Sequence, residues 1–145
     1  MTSRIDDGYQ TLITFSAATS GVEVFWEKAV TPPGLDGGGP NDTTTMHNET
    51  YRTSAPKNLI TLTSGSFTAA YDPAILDELV SMLNVNQAIT VTFPDDSTWV
   101  FWGWIDKVTP SVVEEGTQPT IDITMEPSNQ DADGDEIAPE YTAGS

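Results

Sequence analysis

Cysteine is absent from this chain, which removes disulfides, thiolate metal sites and cysteine nucleophiles together. Cations are nearly absent as well: Arg4, Lys28, Arg52, Lys57 and Lys107 stand against 22 acidic residues, for a formal charge of −17. Binding nucleic acid by counterion release needs clustered cations opposite phosphates, so the chain should repel DNA and anionic membranes. His47 is the single histidine and has no second histidine or cysteine with which to form a usual zinc ligand set. No apolar run approaches the roughly 18 residues of a membrane-spanning helix. The start of the chain also lacks the basic-then-apolar order of a signal peptide. A nucleophile elbow, a phosphate loop and an HExxH motif are all missing. The expectation is a soluble, non-enzymatic chain with no cofactor and no membrane partner. Its acidity admits three readings: a saline habitat, solubility by self-repulsion, or a surface that must not stick to a polyanion.

What is present suits one domain. At 145 residues a single modest core is possible, although only 37% of the residues are hydrophobic. Gln10 to Ser16 alternates apolar and polar residues, and Val22 to Glu27 repeats the pattern after Ser20-Gly21. A period of two is that of a half-buried strand, so a hairpin is predicted there. Leu59 to Tyr71 is extended and rich in threonine, with a bend expected at Gly65. Asp72 is a good helix N-cap and Pro73 fits the first turn. The stripe Ile75, Leu76, Leu79, Val80, Met82 and Leu83 then marks the one helix. Ala88 to Phe93 and Thr98 to Asp106 form a second hairpin around Pro94 to Ser97. Its return strand is apolar on both sides, with Trp99, Phe101 and Ile105 opposed to Val100, Trp102 and Trp104. Pro119 to Pro127 closes the domain, with Ile121, Ile123 and Met125 inward. The predicted fold class is mainly β (α+β): an antiparallel β-sandwich or barrel flanked by one α-helix, with a long loop and extended terminal arms.

Residues 31–56 are dense in proline, glycine and hydroxyl side chains and show no sustained period. Loops longer than about 12–15 residues are uncommon in compact domains unless they bind something. This loop therefore reads as an arm ordered by a partner, with Leu35, Asp36, Gly37, Gly38, Gly39, Met46, His47, Tyr51 and Arg52 as interface candidates. Trp102 and Trp104 join them, because a sheet apolar on both faces needs a second cover. The same tryptophans with Trp99 also admit an alternative, a carbohydrate-binding module that stacks sugars. Residues 1–128 are expected to form the domain, and 129–145 an acidic terminal arm or disordered tail. Within that tail Asp131 to Glu136 resembles the start of an EF-hand loop, but its glycine is misplaced and Thr142 stands where the ligating glutamate belongs. The sequons at Asn41 and Asn48 are most simply chance.

The steps "YRTSAP", "FTAAYDP", "ITVTFPDDST" and "GTQPTIDITMEPSN", with "VTPPGLDGGG" feeding the loop, resemble in order and spacing the major tail tube proteins of tailed bacteriophages. The same fold serves contractile injection and type VI secretion tubes. The resemblance implies a structural subunit of hexameric rings stacked into a tube that passes the genome. Its partners would be copies of itself, a tape measure protein and tail terminator or tip proteins. Passing DNA would not be specifically bound, and the location would be the virion tail. A terminator or connector with the same fold but a single ring is the alternative within that family. An anionic lumen would repel phosphate, and its candidate residues are Asp95, Asp96, Asp122 and Glu126.

Overall fold

A computed structural model describes residues 11–17, 27–111 and 113–144. The short strands are β1 (Leu12–Phe15), β2 (Glu27–Thr31), β3 (Leu35–Asp36), β4 (Pro40–Asp42), β5 (Ser54–Pro56) and β6 (Thr61–Leu62). They are followed by β7 (Gly65–Ala70), helix α1 (Pro73–Ser81), β8 (Gln87–Thr92), β9 (Thr98–Pro110), β10 (Thr120–Pro127) and β11 (Glu140–Thr142). The main sheet is antiparallel in the order β1-β8-β9-β10-β7-β2. Its two outer strands approach each other, since the Ile13 N–H donates to Glu27 Oε1 at 3.2 Å. The sheet thus curls toward a barrel, which hides edges that would otherwise invite aggregation. Most of the first predicted hairpin's second strand lies outside the described residues; among them, β1 pairs with β8 and β2 with β7.

Alternation places Ile13, Phe15, Phe67, Ala69, Ile89, Val91, Phe101, Ile121, Ile123 and Met125 in one buried cluster. A fully buried side chain of this size contributes about 1.5–3 kcal/mol. Two bulges shift the phase of the alternation. Thr124 faces Lys107 but Met125 faces Ile105, so Asp106 is looped out and both Ile105 and Val108 reach the core. Similarly, Lys28 is extra between Glu27 opposite Ala69 and Ala29 opposite Thr68. Glu27 is thereby turned toward the barrel interior, where burial raises its pKa against the lowering effect of hydrogen bonds from its own amide and that of Ile13.

Helix α1 starts as expected, with Asp72 Oδ1 accepting the Ala74 N–H at 3.0 Å. Ile75, Leu79 and Met82 enter the core, whereas Val80 and Leu83 of the predicted stripe stay exposed because the helix touches the sheet along a narrow line. Asn84, at φ 62°, turns the chain out of the helix, and its N–H donates to the Ile105 carbonyl at 3.1 Å. The β9 edge beyond β8 is covered in this way.

Candidate assembly site

The predicted loop is itself a hairpin. The pairs Thr31 with Ser66, Leu35 with Leu62, and Asp36 with Thr61 continue the β2–β7 register away from the barrel. A slip of one residue precedes Pro40 with Pro56, Asn41 with Ala55, and Asp42 with Ser54. Its composition hid this because the breakers sit at the ladder's interruptions. Pro32 and Pro33 cannot donate, so the ladder breaks there. Thr63 bridges the gap: its Oγ1 accepts the Gly34 N–H and its N–H donates to the Gly34 carbonyl, both at 2.8 Å. Gly38 and Gly39, at φ 87° and 82°, make the bend between β3 and β4, where Asp36 Oδ1 accepts the Gly38 N–H at 2.8 Å.

At the tip, Asn48 holds the turn through the Thr45 N–H at 2.8 Å and the Tyr51 carbonyl at 2.9 Å. Met46 is fully exposed, Tyr51 is 82% exposed, and His47 is exposed beside them. Arg52 reaches Asp42 at 3.5 Å, with both side chains in solvent. No residue from Gly34 to Ile60 is buried. The arm thus brings together the loop candidates, Leu35, Asp36, Gly37, Gly38, Gly39, Met46, His47, Tyr51 and Arg52, on one projecting element.

The remaining candidates lie elsewhere. Trp102 and Trp104 are half-buried on the outer face of β9, and Trp104 is paired with Glu126 of β10. One patch of the barrel wall therefore holds a residue expected at an interface and another expected at a lumen. Asp122, also outward, accepts the Thr68 hydroxyl at 2.9 Å across the β7–β10 ladder. Asp95 shapes the β8–β9 turn: its Oδ1 accepts the Ser97 hydroxyl at 2.6 Å and the Ser97 N–H at 3.1 Å. That hydroxyl, then that amide, hold the Asp95 carboxyl below its usual pKa. Asp96 completes the turn at φ 68° and is exposed. Trp99 points to the opposite side of β9 from Trp102 and Trp104, so the three do not form one sugar-stacking platform.

The acidic tail returns to the barrel, although its sequence reads as a free arm. Glu140, Tyr141 and Thr142 pair with Val100, Trp99 and Thr98, on the β9 edge that β10 has left. Backbone pairing holds what apolar content alone would not. Gly144 lies against the β8–β9 turn, where a Cβ would overlap the Asp95 carbonyl oxygen. Upstream, Asp131, Asp133 and Asp135 cluster within 4.8 Å, but Asp131 Oδ1 is already accepting the Asp133 and Asp135 amides at 2.9 and 3.0 Å. Thr142, the would-be last ligand, is in β11 instead. These contacts describe a turn.

Sequence reasoning missed a second surface. Between the arm's root and the returning tail lies an open groove of about 510 Å³, lined by Leu59, Ile60, Leu62, Trp99, Ile137 and Tyr141 among others. Its one local signal is the pair Leu59-Ile60, two adjacent apolar residues where strand alternation would put one outward. Both are in fact exposed.

No family model and no curated protein sequence matches the chain. Solved structures do match. A chain from the tail of an empty gene transfer agent particle, refined helically with C6 symmetry, superposes with a TM-score of 0.65 over 96% of this chain and 100% of that one, at 15% identity. The fold is tail-tube-like. A chain of the anti-feeding prophage baseplate, six-fold symmetrised, matches with a TM-score of 0.61 over 98% of this chain and 97% of that one, at 7% identity. In this tail-tube-like fold the match runs through nearly the whole chain, so it covers the arm and the tail as well as the barrel.

Proposed function

We propose that this chain is a structural subunit of a phage-type tail tube, built as stacked hexameric rings around an anionic conduit for the genome. The observation that carries the reading is the fold shared over nearly the full length with chains of two six-fold, phage-tail-like particles. The arm supports it. An exposed hairpin with large apolar side chains at its tip gains nothing in an isolated barrel, but identical neighbours give it a surface to cover. A formal charge of −17 supports the conduit, because a wall bearing Asp122, Glu126 and the acidic turns repels phosphate. Such repulsion acts only within a Debye length, about 8–10 Å at ordinary salt, which suits a narrow channel. Residues 1–128 then form the ring-building domain, and 129–145 an acidic terminal arm whose β11 is laid against β9. Its partners are further copies, a tape measure protein and terminator or tip proteins, in a virion tail. The role is structural and needs no catalysis.

Electron microscopy of the concentrated protein from about 0.1 to 1 M salt tests this, since raised salt screens the repulsion that opposes assembly. Six-fold rings or tubes are expected, and monomers at every salt would overturn the reading. The baseplate likeness favours a second reading, a single ring at one end of the tail. Copy number separates the two: many stacked rings mean tube, one ring means terminus.

A further inference from the structure

The groove beside β9 is mostly apolar, and the one charged side chain among its lining residues is Glu136. Leu59 and Ile60 are 82% and 64% exposed on one wall, and Ile137 and Tyr141 form the other. Between them the Trp99 Nε1 is buried and has no acceptor among the described residues. Glu136 stands at the rim, at the end of the turn that carries Asp131, Asp133 and Asp135 without any lysine or arginine. No cationic side chain lines this socket, and its apolar walls are uncovered.

The tip of the arm has both a cation and apolar side chains. Met46 and Tyr51 are its large apolar groups, and Arg52, one of five basic residues in the whole chain, follows Tyr51 directly. Among the described residues Arg52 is held only by a 3.5 Å contact to Asp42 in open solvent, an arrangement of little net strength that leaves the guanidinium free to turn elsewhere. None of the tip residues lines the groove of its own chain; the arm contributes only its root there. From Asp36 to Asp42 the arm can carry its tip about 20 Å further out at full extension.

We infer that the groove of each copy receives the arm tip of another copy, with Met46 and Tyr51 seated on the Leu59, Ile60 and Tyr141 walls and Arg52 facing Glu136. This rests on the self-assembly reading above and deepens it by naming both partners of the contact. Methionine fills irregular apolar space and packs well beside indole and phenol rings. Because plug and socket are different parts of the chain, the contact is heterologous and propagates from copy to copy.

Absence of native cysteine makes the test clean. Met46→Cys combined with Ile60→Cys places one thiol on the plug and one on the socket, and Tyr51→Cys with Leu59→Cys is a second, independently placed pair. All four positions are exposed, so circular dichroism should match the parent protein. Oxidation of the assembled protein should give a ladder of dimers, trimers and larger species on non-reducing gels for at least one pair. Each single variant should stop at dimers. Rings or tubes in the microscope without a ladder from either pair would overturn this inference and leave the tube reading standing. A parent protein that never assembles would overturn both.

Discussion

Gly103 lies where β9 is squeezed hardest, paired with Gln87 on one side and Pro127 on the other. It is buried, and a Cβ built there would overlap the Glu126 carbonyl oxygen and stand 3.0 Å from Pro127 Cα and 3.1 Å from the Glu126 carbonyl carbon. All of these obstacles are backbone, so Gly103→Ala cannot be relieved by turning a side chain; β10 must move, and Met125 with it. Overpacking of this type costs about 3 kcal/mol at the upper end of its usual range. Removing a glycine from the unfolded chain gives back about 0.5–1 kcal/mol. The net loss is about 2 kcal/mol, which for a domain of this size lowers Tm by roughly 5–8 °C. Gly37→Ala is the control, because nothing lies within 4 Å of its Cβ position and its φ is not in the left-handed region. Scanning calorimetry of both variants in low-concentration, monomeric samples reads the difference. A Gly103→Ala protein as stable as the Gly37→Ala protein would refute the close approach of β9 and β10 at this point.

Replacing Asn41–Ala55 by a short glycine-serine turn should leave far-UV circular dichroism and Tm nearly unchanged, since no residue from Asn41 to Ala55 is buried, while polymerisation seen by electron microscopy is lost; a collapse of the fold would show that the arm belongs to the core. Gly144→Ala should free the tail from the β8–β9 turn, measured as faster amide exchange at Tyr141 and Thr142 with little change in Tm. Glu27→Gln keeps an oxygen for the Ile13 N–H but removes a charge that burial disfavours. A carboxyl whose folded pKa is raised stabilises the fold at low pH and loses that contribution as pH rises through the folded value. The variant should therefore melt slightly higher than the parent at pH 7, and the gap should close as the pH falls toward the carboxylate range. Met46→Asp should weaken assembly without altering the monomer, because its side chain touches nothing in its own chain at full exposure, as sedimentation at matched salt would report.

Some of this molecule was written in short stretches of residues. The cap at Asp72, the start of α1, the alternation in β8, β9 and β10, and the turn at Pro94–Ser97 each depend on neighbours a few positions away, and each was legible on that account. The order of motifs from "YRTSAP" to "MEPSN" pointed to the tail tube fold that the superposed structures share. Periodicity could not say that the bulges at Lys28 and Asp106 would shift phase, because a bulge is a mismatch between two strands and neither strand shows it alone.

By itself, then, the sequence determined the chain's electrostatic character, its lack of thiol and clustered-cation chemistry, the helix and most of the core strands. Tertiary structure alone decided that the proline- and glycine-rich loop is a register-continuous hairpin, that an acidic tail closes onto β9, and that Leu59, Ile60, Trp99 and Tyr141 meet around one groove. The physical reason is range: capping and alternation are set within a few residues, whereas strand pairing and the groove join backbone hydrogen bonds and side chains from distant parts of the chain.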